Sequence, residues 1–241
     1  MIRNLLNELR TRRDWQTLLG LYLLILLTFQ RAFFSDFVYW DDDVFILRNE
    51  LLKMGPWQAI STTFTSYFHG DYLPLTILSY WVDVQIFGFN WSALHAVNLI
   101  YHGLNVTLLY WILLRMTKSW EWSTVVCFFF AIHPLQAEPV MWISERKSLL
   151  SGAFTLGSLL LYLKFIETGS RKTLTWSMVN YIASILAKTT GILLPVLFFF
   201  LDLFYGKQKF KTAVLRLIPA VVLIGVVAVL RTISYDSSTP G

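Results

Sequence analysis

Three adjacent carboxylates, Asp41, Asp42 and Asp43, form the most acidic cluster in the sequence. Neighbouring carboxylates repel one another when ionised, so such a cluster raises one pKa, binds a cation or stays solvated. A carboxylate here could act as a general base or as a ligand of a divalent cation, and the residue types alone do not distinguish these roles. Taken without other features, the cluster is most simply a solvated loop.

Three cations, Arg146, Lys147 and Lys188, lie within or beside apolar segments. An ionisable residue at membrane depth indicates a function, and an anionic ligand would account for these three. Arginine offers such a ligand a bidentate fork and lysine a point charge. The alternative is contact with lipid headgroups. Glu138 lies on the same predicted loop as Arg146 and Lys147 and is a further candidate residue of the predicted site.

His95, Asn98, His102 and Asn105 recur at spacings of three, four and three, which places them on one face of a helix. We predict interhelical hydrogen bonds for Asn98, His102 and Asn105. His95 is nearest the predicted end of the helix and could reach a site. The sequence contains no zinc-ligand spacing, glycine-rich phosphate loop or Ser-His-Asp arrangement.

The composition indicates the environment in which these residues must be positioned. Hydrophobic residues make up 56% of the chain and charged residues only 15%, which is typical of a membrane protein. The net charge is +5, but the basic residues punctuate apolar runs rather than cluster on one face, which argues against nucleic acid as a partner. A single cysteine, Cys127, excludes an intrachain disulfide.

The apolar runs predict an all-α membrane protein with seven transmembrane helices. A helix needs about 20 residues to cross the hydrocarbon layer. The predicted crossings are 15–34, 92–114, 121–137, 148–166, two within 174–205, and 212–230. The two crossings within 174–205 are separated by a hinge near Lys188 to Gly191, where Thr-Thr-Gly lowers helix preference.

Charge distribution assigns the orientation. Placing 1–14 in the cytoplasm and 73–88 as an interfacial helix puts most lysines and arginines on the cytoplasmic side, as the positive-inside rule requires. The polytopic membrane domain is then 15–235, with a large external loop at 36–91 that carries interfacial helices. Residues 236–241 form a tail. The polar candidates gather on the non-cytoplasmic face, which is periplasmic or extracellular in a bacterium, or the lumen of the endoplasmic reticulum.

Several motifs in a fixed order carry a resemblance to one family. They are Tyr39 to Asn49, Leu73-Pro74-Leu75-Thr76, Leu78-Ser79-Tyr80, Phe87-Gly88, His95 to Asn105, His133-Pro134 with Glu138, Trp142 to Lys147, and Ala187-Lys188 with Pro195 and Asp202. Their order and spacing resemble the transmembrane and tetratricopeptide-repeat O-mannosyltransferases and their bacterial relatives. The most specific match is Trp142 to Lys147.

The resemblance implies a C-type glycosyltransferase (GT-C) fold that moves a sugar from a polyprenyl-phosphate carrier to an acceptor hydroxyl, such as one on a protein, outside the cytoplasm. Asp41 and Asp42 match the family's acidic pair, so they are the expected catalytic residues and the ligands of any divalent cation. Arg146, Lys147 and Lys188 are expected to bind the lipid phosphate, with Glu138 and His95 as orienting groups. Asp43 lies outside the matched pair and has no assigned role.

Members of the family continue through more membrane spans and commonly into tetratricopeptide repeats. The expectation from this sequence is therefore a fragment, a subunit completed by a second chain, or a truncated relative. The main alternative function is a non-catalytic membrane subunit or lipid-carrier-binding protein, which would keep the cations but need no base. A transporter is disfavoured, because it would place ionisable residues near the bilayer midplane.

Overall fold

The computed structural model describes residues 12–38, 40–68 and 70–238, with side chains through Ile233. The basic segment 1–11, Tyr39 of the aspartate motif and residues 239–241 of the expected tail lie outside the described residues. Helices make up the regular structure of the described part, apart from one isolated bridge between Phe68 and Asp71. The all-α fold class predicted from the sequence is confirmed.

Eleven α-helices are described. They are α1 (Arg12–Thr28), α2 (Pro56–Thr65), α3 (Pro74–Phe87), α4 (Trp91–Thr117), α5 (Trp120–Ile132), α6 (Ala137–Met141), α7 (Arg146–Thr168), α8 (Arg171–Ala187), α9 (Leu194–Phe200), α10 (Phe210–Arg216) and α11 (Ile218–Ser238). Short 3-10 turns lie at Gln30–Phe34, Glu50–Lys53, Pro134–Gln136, Ile143–Glu145 and Thr189–Leu193, and π-helical turns at Asp43–Leu47 and Leu201–Tyr205.

Three helical stretches in the described part are long and apolar enough to cross a membrane: Trp91–Thr117, Ile143–Thr168 and Phe210–Ile233. A fourth results if Trp120–Ile132 and Pro134–Met141, which are bent by 54°, count as one span. The chain is therefore a membrane protein. The expected total of seven crossings stays a prediction, since α1 and α8 have 17 residues each and Thr189–Tyr205 is a shorter apolar helix.

The predicted hinge near Lys188 is present as a break in the helix. Helix α8 ends at Ala187, Lys188 is extended with φ −155° and ψ 134°, and a 3-10 turn follows. Gly191 allows this turn to fold back onto α8, because a Cβ atom there would lie 2.5 Å from the Ser184 hydroxyl and 3.0 Å from the backbone nitrogen of Ile185. The break takes Lys188 out of the helical backbone.

Small polar residues bring α7 and α8 together. The Ser158 hydroxyl donates to the Ser177 carbonyl at 2.8 Å, and the Ser177 hydroxyl returns a bond to the Ser158 carbonyl at 2.9 Å. The Ser151 hydroxyl donates to the Ser184 carbonyl at 3.0 Å. Small side chains let helix backbones approach closely in a membrane. This packing holds the start of α7 beside the end of α8.

The polar stripe on α4 bonds to neighbouring elements, as the spacing predicted. Asn98 Nδ2 donates to the Trp142 carbonyl at 3.2 Å, and Asn105 Nδ2 donates to the Leu149 carbonyl at 2.9 Å. His102 Nε2 lies 2.9 Å from the carbonyl oxygen of Ala131. These bonds attach α4 to α5, to the segment that leads into α7, and to α7 itself.

Candidate functional site

Four charged side chains from three separate segments meet at one end of the helices. Asp41 Oδ2 lies 3.4 Å from Lys147 Nζ, which is 3.2 Å from one carboxylate oxygen of Glu145. The other Glu145 oxygen lies 3.3 Å from Lys188 Nζ. Lys188 also donates to the Ser148 hydroxyl at 2.7 Å. We call Asp41, Glu145, Lys147 and Lys188 the charge cluster.

Backbone geometry explains why these residues meet. Glu145 and Lys147 flank the start of α7, Lys188 occupies the break after α8, and Asp41 lies just before the π-helical turn Asp43–Leu47. The serine contacts between α7 and α8 bring the first two segments together. The cluster contains two carboxylates and two ammonium groups, and such internal pairing lowers the cost of holding charges away from water.

The charge cluster is partly accessible, and its accessibility is uneven. Exposed side-chain fractions are 11% for Lys147, 12% for Glu145 and 19% for Asp41, but 29% for Lys188. Beside the break lies a cavity of about 480 Å³, lined by Ser151, Thr155, Thr190, Gly191, Leu193, Leu194, Val196 and Leu197. Two of its hydroxyl groups come from α7 and one from the turn after the break, and most of its apolar side chains come from α9. A ligand with a charged head and an apolar tail suits this combination.

Asp42 lies outside the charge cluster and has different surroundings from Asp41. Its side chain is 1% exposed, and both oxygens already accept hydrogen bonds. Oδ1 accepts from the backbone nitrogen of Ser144 at 2.8 Å and from the Ser144 hydroxyl, while Oδ2 accepts from the backbone nitrogen of Val38 at 2.9 Å. Asp42 thus meets protein donors, whereas Asp41 faces the ammonium group of Lys147. Asp42 instead ties the Asp41 segment to the turn before α7.

Arg146 also lies outside the charge cluster. Its side chain is fully buried and pairs with Asp83, while Nε donates to Asn98 Oδ1 at 2.8 Å and Nη2 to the Leu94 carbonyl at 3.1 Å. The guanidinium lies over the Tyr80 ring, 4.8 Å from its centroid. The donors of Arg146 are directed toward Asp83, Asn98 and Leu94 rather than toward the charge cluster. It joins α3, α4 and α7.

Two groups on α3 surround this arginine. Burial raises the pKa of the Asp83 carboxyl, and the Arg146 guanidinium acts in the opposite direction. Burial also raises the pKa of Tyr80 far above its ordinary value, so its hydroxyl stays protonated as a donor. Asp83 and Tyr80 were not singled out as site residues from the sequence.

His95 and Glu138 are not brought into the charge cluster. His95 is 1% exposed, with Asp42 and Arg146 as charged neighbours, so it is enclosed by protein. Glu138 lies in the first turn of α6, is exposed, and takes no part in the contacts that join the cluster. The structure therefore brings together Asp41, Lys147 and Lys188 of the predicted residues, and adds Glu145 and Ser148.

A divalent cation does not fit the aspartates as they are arranged. Both oxygens of Asp42 accept protein hydrogen bonds, and Asp41 faces the ammonium group of Lys147. Within residues 12–38, 40–68 and 70–238 no group of three or more His, Cys, Asp or Glu side chains could hold a metal ion. We therefore assign no metal ligands.

The fold and the charge cluster define a helical membrane protein with a mixed acid and base site at one end of its helices. Comparison with known proteins identifies its relatives. The chain is 30% identical over 158 residues to protein O-mannosyl-transferase tmtc2 of Xenopus laevis, a match that covers 63% of this chain and 19% of the relative. It is 30% identical over 149 residues to protein O-mannosyl-transferase TMTC2 of mouse, covering 59% and 18%.

A third relative, protein O-mannosyl-transferase F38B6.6 of Caenorhabditis elegans, is 25% identical over 221 residues, covering 87% of this chain and 31% of the relative. The chain is thus related to the transmembrane and tetratricopeptide-repeat O-mannosyltransferases, which confirms the resemblance seen in its motifs. It spans less than a third of the length of each of these three relatives. No family model and no solved structure matches the chain.

Proposed function

We propose that this chain forms the membrane-embedded part of a GT-C glycosyltransferase that takes a sugar from a polyprenyl-phosphate carrier and passes it to an acceptor hydroxyl on the non-cytoplasmic side. The observation that carries the proposal is the charge cluster, in which Asp41 lies 3.4 Å from Lys147 and Glu145 links Lys147 to Lys188. The names of the relatives support a sugar and a protein acceptor as the substrates.

Each member of the cluster suits one part of that reaction. The acceptor oxygen attacks the anomeric carbon, the bond from that carbon to the phosphate oxygen breaks, and the acceptor proton passes to the Asp41 carboxylate. The departing lipid phosphate keeps the bonding electrons and gains negative charge. Lys147 and Lys188 interact more strongly with this developing charge than with the intact donor, which favours the transition state.

Glu145 holds the two lysine side chains in position for this step. Without it, two ammonium groups in a partly buried site would repel each other. One carboxylate oxygen facing each lysine holds them on either side of Glu145. Lys188 is the more accessible of the two to an entering phosphate, because its side chain is 29% exposed and that of Lys147 is 11% exposed.

Asp41→Asn tests the catalytic assignment, with Asp43→Asn as the matched control. Asp43 lies two residues further along the same loop and pairs with the exposed Arg48 at 3.0 Å, outside the cluster. The assay uses the chain in lipid nanodiscs with polyprenyl-phosphate mannose and a serine- and threonine-containing peptide. Losing a general base typically lowers the rate by about 100-fold or more, so Asp41→Asn should do so and Asp43→Asn should not.

A lipid-carrier-binding protein is the second candidate, because Lys188 and the neighbouring cavity would serve binding without a base. The two functions separate in a binding measurement with unsugared polyprenyl phosphate. Binding that depends on Lys188, together with no transfer by the parent chain, would support the carrier-binding protein and reject the enzyme. Equal transfer by the parent and Asp41→Asn would reject Asp41 as the base.

A further inference from the structure

Helix α3 presents three polar side chains to the segments around the charge cluster. Thr76, Tyr80 and Asp83 are spaced by four and three residues, so they lie on one face of the helix. Their exposed fractions are 1%, 0% and 7%. Burying a polar side chain costs free energy unless it forms a hydrogen bond, so we expect these three groups to bond to other elements.

Each side chain contacts a residue next to a member of the cluster. The Thr76 hydroxyl donates to the Ala187 carbonyl at 2.8 Å, immediately before Lys188. The Tyr80 hydroxyl lies 3.0 Å from the carbonyl oxygens of both Ile143 and Ser144, immediately before Glu145. Asp83 pairs with Arg146, immediately before Lys147.

We propose that α3 is a clamp that sets the distance between Lys147 and Lys188, with Thr76 and Tyr80 as positioning residues. The inference rests on the proposed function in one respect, that these two lysines receive the donor phosphate. The last carbonyls of a helix have no partner within the helix. Thr76 satisfies one of them at the end of α8 and thereby fixes the direction in which the chain leaves toward Lys188.

The same helix fixes the other lysine. Tyr80 shares its proton between two carbonyls of the turn that starts α7, and Asp83 holds the residue between Glu145 and Lys147. One rigid element thus bonds to both cation-bearing segments. A change in the position of α3 would alter the distance between Lys147 and Lys188, and the phosphate must fit between them.

The clamp is tested with Thr76→Val, which keeps the shape and removes the hydroxyl, and Thr76→Ser, which keeps the hydroxyl. Ser79→Ala is the matched control on the same helix, because among the described residues the Ser79 hydroxyl bonds to the Thr76 carbonyl of its own helix. The readout is the rate at which an amine-reactive acylating reagent modifies Lys188 in nanodiscs. That rate is divided by the rate for Lys53, whose side chain is 54% exposed.

Removing a donor from a buried carbonyl should loosen the break, so we expect Thr76→Val to raise the Lys188 to Lys53 ratio about fivefold. Thr76→Ser and Ser79→Ala should leave the ratio unchanged. An unchanged ratio in Thr76→Val would overturn the clamp. If Thr76→Val does not yield a monodisperse protein, Tyr80→Phe is read in the same way at Lys147, and an unchanged Lys147 ratio then overturns the clamp.

Unsugared polyprenyl phosphate gives the second readout. Thr76→Val should weaken its binding about fivefold and Thr76→Ser should restore it. Since acylation is independent of turnover, failure of the proposed function and failure of the clamp give different results. A parent chain that neither binds polyprenyl phosphate nor transfers sugar rejects the function, while the acylation ratios still decide the clamp.

Discussion

Glu145, just before α7, faces Lys188 in the break after α8, with carboxylate oxygen and ammonium nitrogen 3.3 Å apart. The second oxygen of the same carboxylate contacts Lys147 at 3.2 Å. A phosphate that binds both lysines must compete with this carboxylate. Glu145 therefore organises the cations and also weakens their hold on an anionic ligand.

Glu145→Gln should tighten the binding of unsugared polyprenyl phosphate. Each pair with partial exposure is worth about 1 kcal/mol or less, so the gain should be at most about fivefold for each lysine released, and it should shrink as salt is added. Titration of the chain in nanodiscs measures it. Glu50→Gln is the control, because Glu50 makes the same kind of contact with Lys53 at 2.8 Å on the exposed surface. Weaker binding by Glu145→Gln would contradict this reading.

Asp83→Asn should strongly destabilise the fold. Arg146 is fully buried, and removing its carboxylate partner leaves an uncompensated charge, which costs about 3–5 kcal/mol. Denaturant unfolding in detergent micelles measures the change. Asp43→Asn is the control, since its partner Arg48 is 78% exposed. Replacing both residues, as in Asp83→Asn with Arg146→Met, should recover part of the loss. Equal stability of the two single variants would argue against the pairing.

Gly191→Ala should displace the break that carries Lys188. The added Cβ atom would meet the Ser184 hydroxyl and the backbone of α8, and overpacking of this kind costs about 1–3 kcal/mol. Gly225→Ala in α11 is the control, because nothing lies within 4 Å of its added Cβ atom. Unfolding and polyprenyl-phosphate binding are measured on both. If Gly191→Ala retains parent stability and binding, the close approach of this turn to α8 is not required.

Local signals in the sequence predicted the features that depend on neighbouring residues. The spacing of Asn98, His102 and Asn105 places them on one helix face, and their bonds to other segments are present. Weak helix preference in Thr-Thr-Gly predicted the break at Lys188. Both predictions succeeded because helix periodicity and backbone preference act over a few residues.

Features that depend on distant partners could not be derived in the same way. Arg146 pairs with Asp83, which lies 63 positions earlier in the chain, and nothing local to Arg146 distinguishes an internal partner from a ligand. The three aspartates are identical in type, yet Asp41 faces Lys147, Asp42 faces Ser144 and Asp43 faces Arg48. The three side chains point in different directions because of a turn that exists only in the folded loop.

The central claim is that Asp41, Lys147 and Lys188 belong to one site for a lipid-linked donor. The most direct measurement is a structure of the chain in nanodiscs with polyprenyl phosphate. We predict that the phosphate oxygens lie about 3 Å from the Nζ atoms of Lys147 and Lys188, the distance of a charge-assisted hydrogen bond, with Asp41 on the same side. A phosphate bound at the other end of the helices, near Lys207 and Lys211, would contradict the claim.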